Sequence, residues 1–341
     1  GTDALRWALC SYSPQSKRIP LSLKKIEGSR HFCNKIWNAT RYALPYLEGV
    51  EVPAEVPEAT SLLNRWILVR LGAACGASKE GIDAFRFDDS CSALYRFFWG
   101  ELCDWYLELS KPVFAGDDET AKAETRQVLL YALDTALRAM HPFIPFITEE
   151  LWHRLPRAEG APVSVALTDL PGAEAGRQDA EASEQMDLVQ AVITAARTVR
   201  SERNMHPASK VALALRHADD AVRGLLERER QSIETLVKTE TLVIEPPASE
   251  RPKGAALSVA SGIEVLITLR GVVDAEKERA RVEREITKTE KDIAVIEKKL
   301  SNKKFAERAP AEVVAEAKSD LEQLKARRAL LDEAAALAAE L

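Results

Sequence analysis

Apolar positions recur at helical spacing through most of the first 155 residues. The stretch HFCNKIWNATRYAL, residues 31–44, shows this well, because a helical wheel of about 100° per residue divides it into two arcs. One arc is mainly apolar and predicts a core face: Phe32, Cys33, Ile36, Trp37, Thr40, Ala43, Leu44 and, just beyond, Leu47. The other arc is polar apart from one aromatic residue: Arg30, His31, Asn34, Lys35, Asn38, Arg41 and Tyr42. We therefore expect an amphipathic helix with a tyrosine on its polar face.

Further helices are predicted at residues 61–77, 88–110 and 119–140. Breaks rich in Gly, Pro or Asp separate them, and short connections between helices favour an antiparallel bundle. Within residues 88–110 the wheel points Leu107 well away from the core stripe, which it assigns to Leu94, Phe97, Phe98, Leu102, Trp105 and Leu109. The segment HPFIPFITEELWHRL closes the bundle, so we expect a helical domain over residues 1–155.

Residues 156–177 are rich in Gly, Pro and Ala, and this composition predicts a linker. Helical patterns at 180–204 and 221–239 then alternate with the strand-like runs KVALALR, TLVIE and ALSVASGIEVLITLRG. The last run is expected to contain two strands that meet at Ser261 and Gly262. These patterns predict a small α/β domain over residues 178–272. Glycine-rich phosphate loops are absent from its sequence, so we assign it no nucleotide.

Residues 273–341 show a heptad pattern in which seam positions alternate in steps of four and three. The seam consists of Val282, Ile286, Thr289, Ile293, Ile296, Leu300, Val314, Ala317, Leu321, Leu324, Arg328, Leu331, Ala335 and Ala338. Pro310, in the break SNKKFAERAP, can begin a helix but cannot continue one. The expected fold is thus mainly α: a helical bundle, a small α/β domain and an antiparallel coiled-coil hairpin. A coil formed between two chains stays open as an alternative.

Composition limits the possible functions. The chain has 341 residues with 46% apolar content, so a substantial core can form. Five cysteines, all in the first third and without paired spacing, argue against a disulfide framework and a zinc site. The sequence shows neither a secretory signal nor an apolar run of membrane length, and we expect a cytoplasmic protein that does not engage a membrane.

The charge is distributed unevenly. Up to Leu47 there are eight basic residues against two acidic ones, whereas the remainder of the chain has a net charge of −12. A local basic region on an acidic protein favours a polyanionic partner, although a solvated charged face explains the same charge equally well. The five histidines stand apart, and the carboxylate pairs lie at predicted helix starts, where the helix dipole accounts for them. The sequence therefore predicts neither a catalytic nor a metal site.

Several stretches together resemble the class I aminoacyl-tRNA synthetases, and among these the valyl-tRNA synthetases. GTDALRWAL is similar to the segment after the KMSKS loop, RHFCNKIWNATRYAL and LCDWYLELSKP to helices of the anticodon-binding domain, and HPFIPFITEELWHRL to its closing motif. The terminal heptads with LSNKKFAERAPAEVV resemble the coiled-coil arm of the valyl enzymes. HIGH-like and KMSKS-like motifs are missing, so the resemblance implies a C-terminal fragment, inactive alone and without a cofactor. ATP use, valine activation and editing would belong to the missing portion.

The same resemblance implies a binding site for the anticodon of a valine tRNA. Tyr42 falls where the family stacks an aromatic ring on a base, and Glu108 is placed to accept a hydrogen bond from a base amino group. The anticodon-binding residues implied are Lys24, Lys35, Asn38, Arg41, Tyr42, Leu107 and Glu108. For the arm, contacts with the tRNA body are expected among Arg279, Arg281, Arg284, Lys288 and Lys291.

Two other interpretations remain open at this stage. The chain is also consistent with the equivalent part of an isoleucyl- or leucyl-tRNA synthetase, which share the bundle motifs. A protein from a different class, a helical interaction module that dimerises through its heptads, is the second alternative. The leading hypothesis is a monomeric, tRNA-binding part of a valyl enzyme.

Overall fold

The computed structural model describes residues 1–13, 22–157, 160–248, 250–269, 275–301 and 311–340. These residues form two compact units, Gly1–Asp187 and Leu188–Leu341. Both units are mainly helical, and the second also contains a small sheet. The predicted fold class is confirmed.

The first unit is a helical bundle. Its helix α1, which we did not expect from the sequence, comes before the long helix that contains Tyr42. The elements are α1 (Thr2–Cys10), α2 (Leu23–Leu47), α3 (Leu62–Asp83), α4 (Phe87–Tyr95), a π-helical stretch (Arg96–Tyr106), α5 (Leu107–Ala115), α6 (Glu119–Met140) and α7 (Pro145–Trp152).

Helix α2 buries the apolar arc that the wheel predicts. Ser22 caps its start by accepting a hydrogen bond from the Lys25 backbone N–H, which satisfies one of the free donors of the first turn. Phe32, Ile36 and Leu47 have no exposed surface. Full burial of such side chains contributes about 1.5–3 kcal/mol each, so this face holds the helix against the bundle.

The segment between α4 and α5 differs from the prediction because Arg96–Tyr106 is π-helical. Its backbone hydrogen bonds connect residues i and i+5, so each turn contains more residues than an α-helical turn. A wheel of 100° per residue correctly predicts that Phe97, Phe98 and Leu102 are buried, but it fails at the end of the π-helical stretch. Trp105 is only partly buried, whereas Tyr106 and Leu107 are 0% and 5% exposed. The prediction that Leu107 points away from the core is wrong for this reason.

A buried polar network connects α3, the π-helical stretch and α6. The Tyr106 hydroxyl donates a hydrogen bond to Asn64 Oδ1 at 2.7 Å, and the Asn64 amide donates to Glu124 Oε1 at 2.8 Å. The same amide nitrogen also donates to the Thr125 hydroxyl at 3.1 Å. Because buried polar groups are costly unless they are hydrogen-bonded, this network fixes Tyr106 at one position in the core.

The predicted linker at 156–177 lies against the bundle where it is described, from residue 160 onward. Tyr131 donates a hydrogen bond to the carbonyl of Ala175 at 3.1 Å, and Arg138 donates to the carbonyl of Asp169 at 2.8 Å. Gly176 crosses α3 so closely that a Cβ atom on Gly72 would lie 2.8 Å from the Gly176 Cα. Glycine at both positions is what permits this backbone contact.

Helix α8 (Ala180–Glu202) leads into the second unit, whose sheet has the strand order β2-β1-β4-β3. Strands β1 and β2 are parallel, and the other neighbours are antiparallel. Strands β3 and β4 meet at Ser261 and Gly262, both with positive φ, as a two-residue hairpin loop requires. The remaining elements of the domain are β1 (Val211–Arg216), α9 (Asp220–Arg228), α10 (Arg230–Val237), β2 (Thr239–Glu245), β3 (Ala255–Ala260) and β4 (Ile263–Thr268).

The prediction of a single helix over residues 221–239 is wrong, because α9 and α10 are separate helices. The backbone of Glu229 departs from helical geometry, with φ −92° and ψ 13°, and so divides the segment. The Leu225 and Ile233 side chains are nevertheless both buried, at 3% and 0% exposure. A helical apolar spacing that continues across the break is the reason that the sequence pattern does not reveal it.

The coiled coil is an antiparallel pair within one chain. Helix α11 (Ala275–Ser301) packs along the last helix, α12 (Ala311–Glu340). Arg328 pairs with Glu290 at 3.0 Å, and Lys325 pairs with Glu297 at 3.1 Å. The predicted hairpin is thereby confirmed, and its heptads have their partners in the same chain. Most of the predicted break lies outside the described residues.

The helices are unsuited to crossing a membrane. Among the residues that the structure describes, none of them combines the length and the apolar character that a bilayer span requires.

Candidate nucleic-acid interface

A surface pocket of about 180 Å³ lies between α2 and the helix that follows the π-helical stretch. It is lined by Lys35, Asn38, Ala39, Tyr42, Cys103, Leu107, Glu108 and Lys111. Most of the anticodon-binding residues proposed from the sequence are therefore brought together, although they come from two separate parts of the chain. Their role in binding stays a prediction.

The α2 side of the pocket consists of Lys35, Asn38 and Tyr42, which share one helix face because they are spaced by three and four residues. The ring of Tyr42 lies 5.5 Å from that of Tyr46, which in turn stacks on Phe114 at 4.3 Å. This row of rings limits the positions that Tyr42 can adopt. Burial, together with the Tyr46 hydroxyl, raises the pKa of Tyr42 above that of an ordinary tyrosine.

The opposite side of the pocket consists of Leu107, Glu108 and Lys111. Lys111 pairs with both Glu108 oxygens, at 2.6 and 2.7 Å, and its ammonium lies 5.7 Å from the centre of the Tyr42 ring. Leu107 adds an apolar wall between these polar groups. Since both partners of the ion pair are substantially exposed, the pair is worth at most about 1 kcal/mol and a ligand can displace it.

Lys35 is held at the entrance of the pocket by two contacts. Its ammonium forms an ion pair with Asp104 at 3.1 Å and lies 5.2 Å from the centre of the Trp99 ring. The pair is partly exposed, with Asp104 on the solvent side. Lys35 is therefore oriented beside the pocket and accessible to an anion.

Two of the predicted residues do not line this pocket. Arg41 is exposed on α2 next to Tyr42 but faces away from the lining. Lys24 is exposed at the start of α2, 18 residues before Tyr42, a separation of about 27 Å along the helix axis. The structure thus leaves Lys24 outside the arrangement that the other residues share.

Three residues that line the pocket were not predicted from the sequence. Lys111 follows Glu108 by three residues, a spacing that favours an ion pair on a helix and that was available as a signal. Cys103 and Ala39 gave no such signal, because small residues on a helix are normally predicted to pack in the core. Burial raises the pKa of the Cys103 thiol to about 12, so it presents a neutral surface to the pocket.

The residues proposed on the arm fall into two groups. Arg279 donates a hydrogen bond to the carbonyl of Ala338 at 2.9 Å, and Arg281 pairs with Glu285 at 2.7 Å, so both serve contacts within the hairpin. Arg284, Lys288 and Lys291 line one exposed depression on α11, together with Glu283 and Thr287. This second group presents a row of positive charge to solvent.

Two of the histidines of the bundle have structural contacts. His141 Nδ1 lies 2.8 Å from the Thr148 hydroxyl, and His153 Nε2 lies 2.9 Å from Glu149 Oε1. Within the described ranges, no three His, Cys, Asp or Glu side chains are grouped so that they can hold a metal ion.

Comparison with known families agrees with this architecture. Residues 64–215 match the model of the anticodon-binding domain of tRNA ligase, and residues 274–337 match that of the valyl tRNA synthetase tRNA binding arm. A helical bundle followed by such an arm is the arrangement that these two family models describe.

Curated relatives specify the family further. The chain is 40% identical over 339 residues to the valine–tRNA ligase of Nitratidesulfovibrio vulgaris, and 39% identical over 333 residues to that of Geobacter sulfurreducens. Each alignment covers 97% of this chain and 37% of the relative. The chain belongs to the valyl-tRNA synthetase family and spans a little over a third of the length of these members.

One solved structure was also compared: the ternary complex of Agrobacterium radiobacter K84 agnB2 LeuRS with tRNA and LeuAMS. It aligns with a TM-score of 0.34 and 16% identity, covering 68% of this chain and 26% of that chain. An alignment at this score is too weak to establish a shared fold.

Proposed function

We propose that this chain binds a valine-specific tRNA and reads its anticodon in the pocket between α2 and α5. The observation that supports this most strongly is the convergence of Tyr42, Asn38 and Glu108 on one pocket beside the accessible cation Lys35. The ATP-dependent attachment of valine to tRNA, the activity that the relatives are named for, is proposed only for a longer protein that contains this chain. For these residues we propose recognition alone, without a cofactor.

Each side chain of the pocket suits one part of a nucleotide. The ring of Tyr42 offers a face on which an unstacked base can stack. Glu108 accepts from an exocyclic amino group, and the Asn38 amide can both donate to and accept from a base edge. Lys35 would contact phosphate, which fixes the position of the strand but does not read its sequence.

The arm would contribute affinity without sequence recognition. Arg284, Lys288 and Lys291 form a basic row on α11 that matches the repeating charge of a phosphate backbone. Because such contacts release counterions, their contribution should weaken as salt is raised. We propose that this row touches the body of the same tRNA.

We further propose that the chain acts as a monomer in the cytoplasm. The main support for a monomer is that α11 and α12 pair within one chain and bury Val282, Ala317 and Ala338, which are at most 5% exposed. This pairing within one chain argues against the alternative, an interaction module that dimerises through heptads without a partner in their own chain. The named relatives, in turn, favour a valine tRNA over the tRNAs of leucyl or isoleucyl enzymes.

Direct binding measurements test this proposal. The chain is titrated with a fluorescent tRNA that has a valine anticodon and with the same tRNA after exchange of the anticodon, at two salt concentrations. We expect tighter binding to the valine anticodon at both salts, and weaker binding of both RNAs at the higher salt. Equal affinity for the two RNAs would refute anticodon recognition. A stable dimer in sedimentation that binds neither RNA would favour the interaction module.

A further inference from the structure

A second and larger pocket, of about 540 Å³, lies further toward the start of α2, where α1, α2 and α4 meet. Aromatic residues Trp7, Phe32 and Tyr95 line it together with the basic residues Lys25 and Arg96. Trp7 and Phe32 are buried, whereas Tyr95 is 41% exposed. The Tyr95 ring is therefore the aromatic surface in this pocket that a ligand can reach.

A row of rings connects this pocket to the one that contains Tyr42. Tyr95 stacks on Trp99, with ring centres 5.6 Å apart and planes inclined by 27°. The Lys35 ammonium lies 5.2 Å from the centre of the Trp99 ring, and Lys35 itself lines the pocket of Tyr42. We call the pocket of Tyr95, together with the adjacent Trp99 ring, the Tyr95–Trp99 groove. It is separate from the pocket of Tyr42, which lies further along α2.

Basic groups and an open backbone accompany these rings. Lys25 donates to the carbonyl of Ser11 at 2.8 Å, which keeps its ammonium at the pocket, and Arg96 follows Tyr95 directly and is exposed. At Gly28 a Cβ atom would meet nothing within 4 Å, so a ligand can approach the helix there. From Lys25 to Tyr42 the groove and the pocket of Tyr42 together span about 26 Å along the helix axis, longer than one nucleotide needs.

We propose that the Tyr95–Trp99 groove binds the nucleotides that flank the anticodon, as single-stranded RNA. One base stacks on Tyr95, and Arg96 contacts the backbone phosphate. Positive charge next to an exposed ring is the combination that single-stranded nucleic acid requires, and stacking tolerates any base. This inference rests on the proposed function, because the same RNA strand occupies both pockets, but it assigns affinity to the groove and specificity to the pocket of Tyr42.

Variants of Tyr95 test the groove. A stem-loop RNA with the valine anticodon and one with an exchanged anticodon are titrated against wild type, Tyr95→Ala, Tyr95→Leu and Tyr95→Phe. Loss of one stacked base should weaken binding about tenfold for Tyr95→Ala and Tyr95→Leu, by the same factor for both RNAs, while Tyr95→Phe retains wild-type affinity. Tyr95→Leu preserves apolar packing against Phe32 and so keeps the test valid if the alanine variant is poorly folded.

Two further variants distinguish a loss of RNA contacts in the groove from a general effect of removing a surface side chain. Arg96→Gln should weaken both RNAs equally and reduce the slope of log affinity against log salt by about one, the value for one phosphate that is no longer neutralised. Phe146→Ala removes a ring that is 65% exposed outside the groove, and it should change neither affinity nor slope.

The outcomes separate this inference from the proposed function. If wild type prefers the valine anticodon but the folded Tyr95→Leu variant binds as wild type does, the groove is refuted and the proposed function stands. If wild type binds both stem-loops equally and Tyr95→Leu weakens both, the groove stands and anticodon reading is refuted. If wild type binds neither RNA, both are refuted.

Discussion

The binding role proposed for Tyr42 depends on the neighbours of its side chain. Its ring is held in the row formed with Tyr46 and Phe114, and burial raises the pKa of its phenol. The helical wheel was enough to place Tyr42 opposite the core, because the α-helix continues from Leu23 through Tyr42. Lys111 was not identified, since its importance depends on the other helix that brings it close to the same ring.

Replacing Tyr42 tests the stacking role. Tyr42→Ala should weaken binding of a tRNA with the valine anticodon by about 1–3 kcal/mol through loss of the stacked base, and should reduce the preference over an exchanged anticodon. Tyr42→Phe keeps the ring and should bind nearly as wild type does. Fluorescence titration with both RNAs measures the two effects. Wild-type affinity in the alanine variant would show that no base stacks there.

Asp134 offers a prediction about stability rather than binding. Its buried carboxylate accepts a hydrogen bond from Trp152 Nε1 at 2.6 Å, and burial raises the pKa of the Asp134 carboxyl above its usual value. At pH values between the ordinary pKa of aspartate and the raised pKa of Asp134, this carboxyl is protonated in the folded protein and ionised in the unfolded chain. The free energy of unfolding should therefore fall as pH rises through that interval.

The Asp134→Asn variant isolates this contribution. It lacks the titrating group, so the stability of wild type relative to the variant should decrease as pH rises from below the ordinary pKa of aspartate to above the raised one. Urea unfolding at a series of pH values, followed by tryptophan fluorescence, measures the difference. A difference that stays constant with pH would mean that Asp134 titrates alike in the folded and unfolded chains.

Regular elements were predictable from the sequence, and irregular ones were not. Helix α6, the four strands and the coiled coil follow from periodicity and turn residues, which act locally. The π-helical stretch Arg96–Tyr106 is stabilised instead by tertiary contacts, such as the hydrogen bond from Tyr106 to Asn64, that no local pattern contains. The same holds for residues 160–177, whose Gly and Pro content is typical of a linker although the bundle binds them along their length.

The glycine contact between α3 and this segment is open to a direct test. A Cβ atom on Gly176 would collide with the Gly72 Cα and the Leu68 carbonyl, so Gly176→Ala should lower the free energy of unfolding by about 1–3 kcal/mol. Gly28→Ala is the matched control, because that helical glycine has no neighbour within 4 Å. It should raise stability by up to about 1 kcal/mol. Equal effects of the two changes in urea unfolding would contradict the close approach.

The proposed function gives the chain two sites, one that reads bases and one that binds the RNA backbone. The first lies in the unit Gly1–Asp187 and the second on α11 in the unit Leu188–Leu341. Base contacts discriminate between RNAs, whereas backbone contacts add affinity that depends on salt. This division of roles predicts that the two sites can be impaired separately.

The arm can be tested by removing its exposed charges together. A variant with Arg284→Gln, Lys288→Gln and Lys291→Gln should bind full-length tRNA more weakly, with the salt slope reduced by about one for each phosphate that is no longer neutralised. The same variant should bind an isolated anticodon stem-loop as wild type does, which serves as the internal control. Unchanged affinity and slope with full-length tRNA would mean that the row on α11 does not touch RNA.

The π-helical stretch has a consequence for how this protein tolerates change. Leu107 and Glu108 follow Tyr106 directly, and their direction is set by how many residues the preceding turns contain. Deleting one residue between Arg96 and Tyr106 would change the direction of both side chains relative to Phe97 and Phe98. Under the proposed function, substitutions here can be absorbed by the core, whereas insertions and deletions would alter which anticodon is accepted. Evolution of this segment is therefore expected to conserve its length more strictly than its composition.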